Sequence, residues 1–190
     1  KGLAQRDYRV LLVDSNWGNV TAARGAGCRV YYENILSESL LADIQLDGIG
    51  RLLASTPNDE VNSLAALRFA NIFGRAQIYQ LPAPARQERS SEKEMPRHLR
   101  GRTLFAREAN FTYLQDRIYA GAVIKKTTLS EEFPYEKFLQ TYGEGVLPLF
   151  VITRSHTLQI CTAESQVAPE PGDKIVALVN GKPDSQPQRP

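Results

Sequence analysis

The sequence predicts an α/β lobe built on a doubly wound parallel sheet, followed by a smaller α+β unit. Two patterns predict the first lobe: short, largely apolar runs, and helix-length segments that alternate with them. A third, a break in periodicity after residue 81, separates the second unit.

The runs are VLLV at 10–13, RVYY at 29–32, RLLAS at 51–55 and QIYQL at 77–81. Their hydrophobicity is continuous rather than alternating, so strands buried on both faces are expected, as parallel sheets require. Helices are expected over about 17–26, 37–45 and 57–73. Gly27 and Gly74 stand where helix ends favour a residue at positive φ. Alternation of strand and helix makes this a βαβ series.

Residues 82–102, PAPARQERSSEKEMPRHLRGR, carry proline, serine and mixed charge without periodicity and read as a linker. Beyond it comes a helix near 110–120 with Phe111, Leu114 and Ile118 on one face, then a strand, AVIKKTTL. In FPYEKFLQTYG, Pro134 opens a short helix and Gly143 closes it. VLPLFVIT, the turn RSHT and LQICT form a hairpin, and PEPGDKIVALV is a tight turn into a last strand. The expected organisation is a partial first lobe at 1–81, a linker at 82–102, a second lobe at 103–180 and a frayed tail at 181–190.

Composition narrows the function. The 190 residues are 42% apolar, enough for one good core or two small ones. No apolar run reaches the 18 residues a membrane helix needs, and there is no signal-peptide pattern, so any membrane role is expected to come from a covalent neighbour. Lys1 in place of Met suggests a piece of something longer. A net charge of +2, from 23 basic and 21 acidic residues intermixed, is too small a footprint for nucleic acid. Cys28 and Cys161 lack the spacing of a metal or redox motif and read as two buried thiols in a reducing cytosol.

Chemistry gathers at three strand ends. Asp14 closes an apolar strand, where an acid of a dinucleotide fold holds ribose hydroxyls, yet the 13 residues before it contain no glycine-rich loop. Asp14, Ser15 and Asn16 are equally candidate helix caps. In TPND, Thr56 can cap a helix with Pro57 at its first position and Asp59 completing a capping box; the same helix start also suits an anion. At YYENILS, Asn34 and the backbone of Ile35 can meet a purine edge, while Ser37 caps the next helix. His98 in the linker and His156 in the hairpin turn lack catalytic companions, and an NAD-linked enzyme is the least favoured reading.

These residues resemble a known family. LLVDSN, the Ala-rich helix ending AGC, YYEN, and LDGIGRLLASTPNDEVNSLAALRF resemble the second half of the N-terminal lobe of a regulator-of-potassium-conductance domain, also called TrkA-N, which is Rossmann-like. Thr56, Asn58, Asp59 and Asn62 match its T-x-N-D-x-x-N motif in register, and PGDKIVALV resembles the closing strand of the companion TrkA-C lobe. Across about residues 8–179 the chain looks most like the cytoplasmic tail of bacterial monovalent cation:proton antiporters of the sodium:proton type. The resemblance implies a regulatory module beside a transmembrane antiporter domain at the cytoplasmic side of the inner membrane. It further implies dimerisation, and NAD(H), ATP or AMP as ligand of Asp14, Asn34, Ile35, Thr56 and Asn58. An assembly module with a decayed nucleotide site is the alternative.

Two departures from the family pattern follow: Glu33 and Asn34 stand where a glycine and an acid are usual, and the strand with the phosphate loop is missing. That strand would lie between the ones ending at Asp14 and Ser55, so these two are expected not to pair directly, and the slot between them is expected to be filled by preceding residues of a longer protein, the alternatives being a shifted sheet or a second chain.

Overall fold

The computed structural model describes residues 8–84, 100–165 and 167–181. The chain divides into two compact units, Lys1–Thr103 and Leu104–Pro190.

In the first unit β1 (Leu11–Asp14), α1 (Trp17–Gly25), β2 (Arg29–Tyr32), α2 (Glu38–Asp43), β3 (Leu52–Ala54), α3 (Asp59–Phe73) and β4 (Ile78–Gln80) alternate as the sequence predicts. β1 and β2 pair in parallel, Leu11 beside Arg29 and Asp14 beside Tyr32. β3 pairs in parallel with β4. Arg102, the last residue of the expected linker, opens β5 (Arg102–Thr103), a third parallel strand against β4. Residues 85–99 of that linker lie outside the described residues, as does His98.

These strands form two sheets, β1-β2 and β3-β4-β5, and among the described residues β1 and β3 are not paired. They are not directly hydrogen-bonded to each other, as a missing strand between them requires. The expectation of strands buried on both faces is corrected. β4 is buried throughout, but β1 and β2 hold no fully buried residue, and Leu12 is 38% exposed. Side chains alternate between the two faces of a strand: Val13 turns to an apolar cluster, and Leu12, on the opposite face, is left partly in water.

An apolar cluster of Leu40, Ala66, Phe69 and Ile78 spans both sheets, because Val13 of β1 and Leu52 of β3 pack against it. Phe69, 2% exposed, stacks on Phe73 at 5.9 Å between ring centroids. At the end of α1, Gly27 adopts φ +76, and the N–H groups of Gly27 and Cys28 donate to the carbonyls of Arg24 and Ala23. This six-to-one closure needs a left-handed residue, which glycine takes without strain.

The second unit contains α4 (Phe111–Tyr119), β6 (Val123–Thr128), α5 (Tyr135–Tyr142), β7 (Leu147–Ile152), β8 (Leu158–Ile160) and β9 (Lys174–Val179). Its antiparallel sheet has the order β6-β9-β7-β8. β9 carries both cores. Ile175, Ala177 and Val179 pack with Phe138 of α5, whereas Leu178 packs with Leu147, Leu149 and Ala109, against which Tyr113 and Leu114 of α4 lie. Two covered faces explain the uninterrupted apolar run KIVALV. Pro148 sits at a register shift between β7 and β9, where a strand tolerates a missing N–H. The predicted apolar face of α4 is corrected at one position: Ile118 is 56% exposed.

Both cysteines are free thiols, but only Cys161 is buried; Cys28 is half-buried, which corrects the expectation of two buried thiols. Among the described residues no helix is long and apolar enough to cross a membrane.

Two outcomes are expected. Phe69→Ala removes a buried ring from the cluster that both sheets share and should cost about 3–5 kcal/mol in urea denaturation. Burial pushes the Cys161 thiol up to about 12, so it stays neutral and unreactive at ordinary pH. Thiol titration at about pH 8 should then report Cys28 alone in the native chain, and both cysteines only in denaturant.

Candidate functional site

Asp14 stands at the carboxyl end of β1, half-buried, beside Tyr32 of β2. One carboxylate oxygen accepts from the Asn16 backbone N–H and the other from Asn19 Nδ2, both at 2.8 Å. Asn16 in turn caps α1, its side chain accepting from the Asn19 N–H at 3.1 Å. Of the three cap candidates Asn16 is the cap, and Asp14 braces it. A carboxylate has about four acceptor positions, so two on Asp14 remain for another donor.

Two aromatic rings flank this acid. Trp17 opens α1 at 58% exposure and meets Tyr32, 52% exposed, edge to face with centroids 5.2 Å apart. The Arg24 guanidinium lies over the Trp17 ring at 5.5 Å. Exposed rings beside a strand-end acid offer a face for a flat ligand. The sequence analysis did not select them, although a tryptophan after DSN and a doubled tyrosine at a strand end were legible signals.

Asn34 and Ile35 lie in the turn after β2. Asn34 Oδ1 accepts from the Leu36 N–H at 2.9 Å, and the Asn34 N–H donates to Glu33 Oε1 at 3.0 Å. Ile35 packs toward the Phe69 cluster. Arg68 of α3 donates to the Leu36 carbonyl, tying this turn to the third helix. Ser37 precedes α2 as its cap residue but makes no side-chain cap bond.

The TPND segment is held by a residue further on. Asn62 is completely buried; its Oδ1 accepts from the Thr56 N–H and Oγ1, and its Nδ2 donates to the Thr56 carbonyl, each at 2.9 Å. Asn58, rather than Thr56, is the cap of α3, its side chain accepting from the N–H groups of Glu60 and Val61. Helix α3 accordingly starts at Asp59, and Pro57 lies outside it. The motif matched from Thr56 to Asn62 is thus a closed hydrogen-bond network with Asn62 as its keystone.

That network bears on the anion expected at this helix start. Two first-turn amides are already taken by Asn58, and the carboxylates of Asp59 and Glu60 stand in the same turn. Burial pushes the Asp59 carboxyl above its usual range, opposed by the Arg100 charge. Thr56 and Asn58 therefore shape the loop first, and any ligand would meet the faces they leave open.

The structure pairs Asp14 with Tyr32 by register, joins the Asn34–Ser37 turn to α3 through Arg68, and closes Thr56, Asn58 and Asn62 on one another. The described residues hold no glycine-rich strand-to-helix turn that would cradle phosphates.

Comparison with known proteins adds the following. The model of the TrkA-N domain matches residues 1–96. No curated protein matches. Among solved structures, the crystal structure of the GsuK RCK domain is similar, at 9% identity and a TM-score of 0.33, over 93% of this chain and 45% of that one. The chain spans less than half the length of that structure.

Replacing Asn62 by Leu removes the partner of the half-buried Thr56 N–H and carbonyl. Stability should fall by about 2–4 kcal/mol in chemical denaturation, against about 1 kcal/mol for Asn58→Ala, which removes only a cap. Comparable losses from the two variants would show that Asn62 is not the keystone.

Proposed function

The chain belongs to the TrkA-N domain family, and we propose from that membership that it is a regulatory module of an ion-transport protein. The module reads a soluble nucleotide and passes the difference in binding free energy between two states to its transporter. The observation that carries the nucleotide reading is Asp14, a strand-end carboxylate with acceptor capacity to spare, set beside the exposed rings of Trp17 and Tyr32. Ribose hydroxyls would donate to Asp14, and an adenine would lie against the rings.

NAD(H), ATP and AMP share that adenosine half and are the proposed ligands. Asn34 and Ile35 would supply the purine edge, with Thr56 and Asn58 forming the loop opposite. Phosphates would have to be held by groups other than those described. The finer reading places the module beside a monovalent cation:proton antiporter domain in the same polypeptide, on the cytoplasmic side of a bacterial inner membrane, acting as a homodimer.

A second reading is favoured by one specific observation. The side-chain oxygens of Asn34 and Asn58 accept hydrogen bonds within their own turns, which leaves fewer groups for a purine, as expected of an assembly module whose nucleotide site has decayed.

Trp17 is the only tryptophan, so its emission reports directly on the proposed site. Titration with NAD, NADH, ATP and AMP should change that emission and raise the melting temperature, with about 2.7 kcal/mol of stabilisation at a hundredfold excess over Kd. Asp14→Asn should weaken binding roughly tenfold or more, the worth of a hydrogen bond to a charged group. If all four nucleotides leave both readouts unchanged, the assembly module is the correct reading.

A further inference from the structure

The second unit contains a cavity of about 490 Å³ that the nucleotide reading does not use. Its volume falls within the range of small-molecule sites. Tyr135 at the start of α5 and the buried thiol of Cys161 give it apolar surface, Thr162 lies beside them, and Phe105, Arg107 and Glu108 are among its other lining residues.

The segment that carries the charged residues is held firmly. Phe105 adopts φ +65, a left-handed conformation that an aromatic residue rarely takes. Its N–H donates to the Cys161 carbonyl at 2.9 Å, its ring meets Phe150 edge-on at 5.8 Å, and Leu104 bridges Thr162 in antiparallel fashion. Arg107 and Glu108 follow in a turn. Both are exposed, and neither their guanidinium nor their carboxylate has a hydrogen-bond partner among the described residues.

One positive and one negative group beside an apolar, partly aromatic surface match a molecule that carries both charges on a small apolar body. The planar guanidinium fork suits a carboxylate, and a carboxylate accepts from an ammonium. We infer that this cavity binds a free α-amino acid with an aromatic or bulky aliphatic side chain. Arg107 takes its carboxylate, Glu108 takes its ammonium group, and its side chain lies against Tyr135 and Cys161. No residue of the Asp14 cluster takes part, so the nucleotide reading can fail without this one failing.

Calorimetry and thermal melting of the full 190-residue chain test it, with L-phenylalanine and L-leucine as probes. N-acetyl-L-phenylalanine lacks the ammonium and L-phenylalaninamide lacks the carboxylate. Each blocked form should bind at least about tenfold more weakly than L-phenylalanine, the scale of a lost charged hydrogen bond. Arg107→Ala should weaken L-phenylalanine by a similar factor yet leave the amide's weaker binding unchanged. Glu108→Ala should do the same for the N-acetyl form. A merely structural role would move all ligands together. The inference is overturned if neither amino acid gives heat or a melting shift at about 10 mM, far above the micromolar range of specific small-ligand sites. Equal binding of parent and blocked forms to the native chain overturns it as well, and needs no variant to fold.

Discussion

The first unit depends on a single constraint: two parallel ladders that, among the described residues, share no strand pairing must be kept together by packing between them, with the Arg68 hydrogen bond to the Leu36 carbonyl as a polar tie. Phe69 and its neighbours meet it, because Val13 from β1 and Leu52 from β3 converge on one cluster beneath α2 and α3. Backbone hydrogen bonds set the spacing within each sheet, but nothing in those ladders sets the spacing between the sheets. β1 and β2 are only partly buried, so the cluster covers them incompletely.

At the carboxyl ends of the strands, polar residues first serve the backbone and then become available to a ligand. Asn16, Asn58 and Asn62 satisfy amides and carbonyls that the start of a helix leaves open, and Asp14 braces the first of those caps. A site assembled this way is preorganised, because its groups are already held by the fold. Its acceptors are partly used, and Asp14 differs from Asn34 and Asn58 in being a charged acceptor with lone pairs to give.

Element types were legible because each rests on local rules. Apolar runs become strands, Gly27 closes a helix, and Pro134 opens one. The errors share a cause. Choosing Thr56 as the cap followed the Thr-x-x-acid spacing, but Asn62 draws Thr56 into a different network from six residues away. Placing Ile118 on the buried face followed helical periodicity, which does not say how far the covering sheet extends. Trp17 and Tyr32 were visible as letters; their meeting at 5.2 Å depends on the register between β1 and β2, which neither segment contains.

By itself the sequence determined the alternation of strands and helices in the first lobe and the strand-end position of Asp14. These follow from short-range preferences of backbone and side chain. Only the tertiary structure decided that Asn58 caps α3, that Trp17 and Tyr32 meet beside Asp14, and that Arg107 and Glu108 line a cavity with Tyr135 and Cys161. Each of these depends on residues distant in the chain, or on a choice among competing hydrogen bonds that local spacing leaves degenerate.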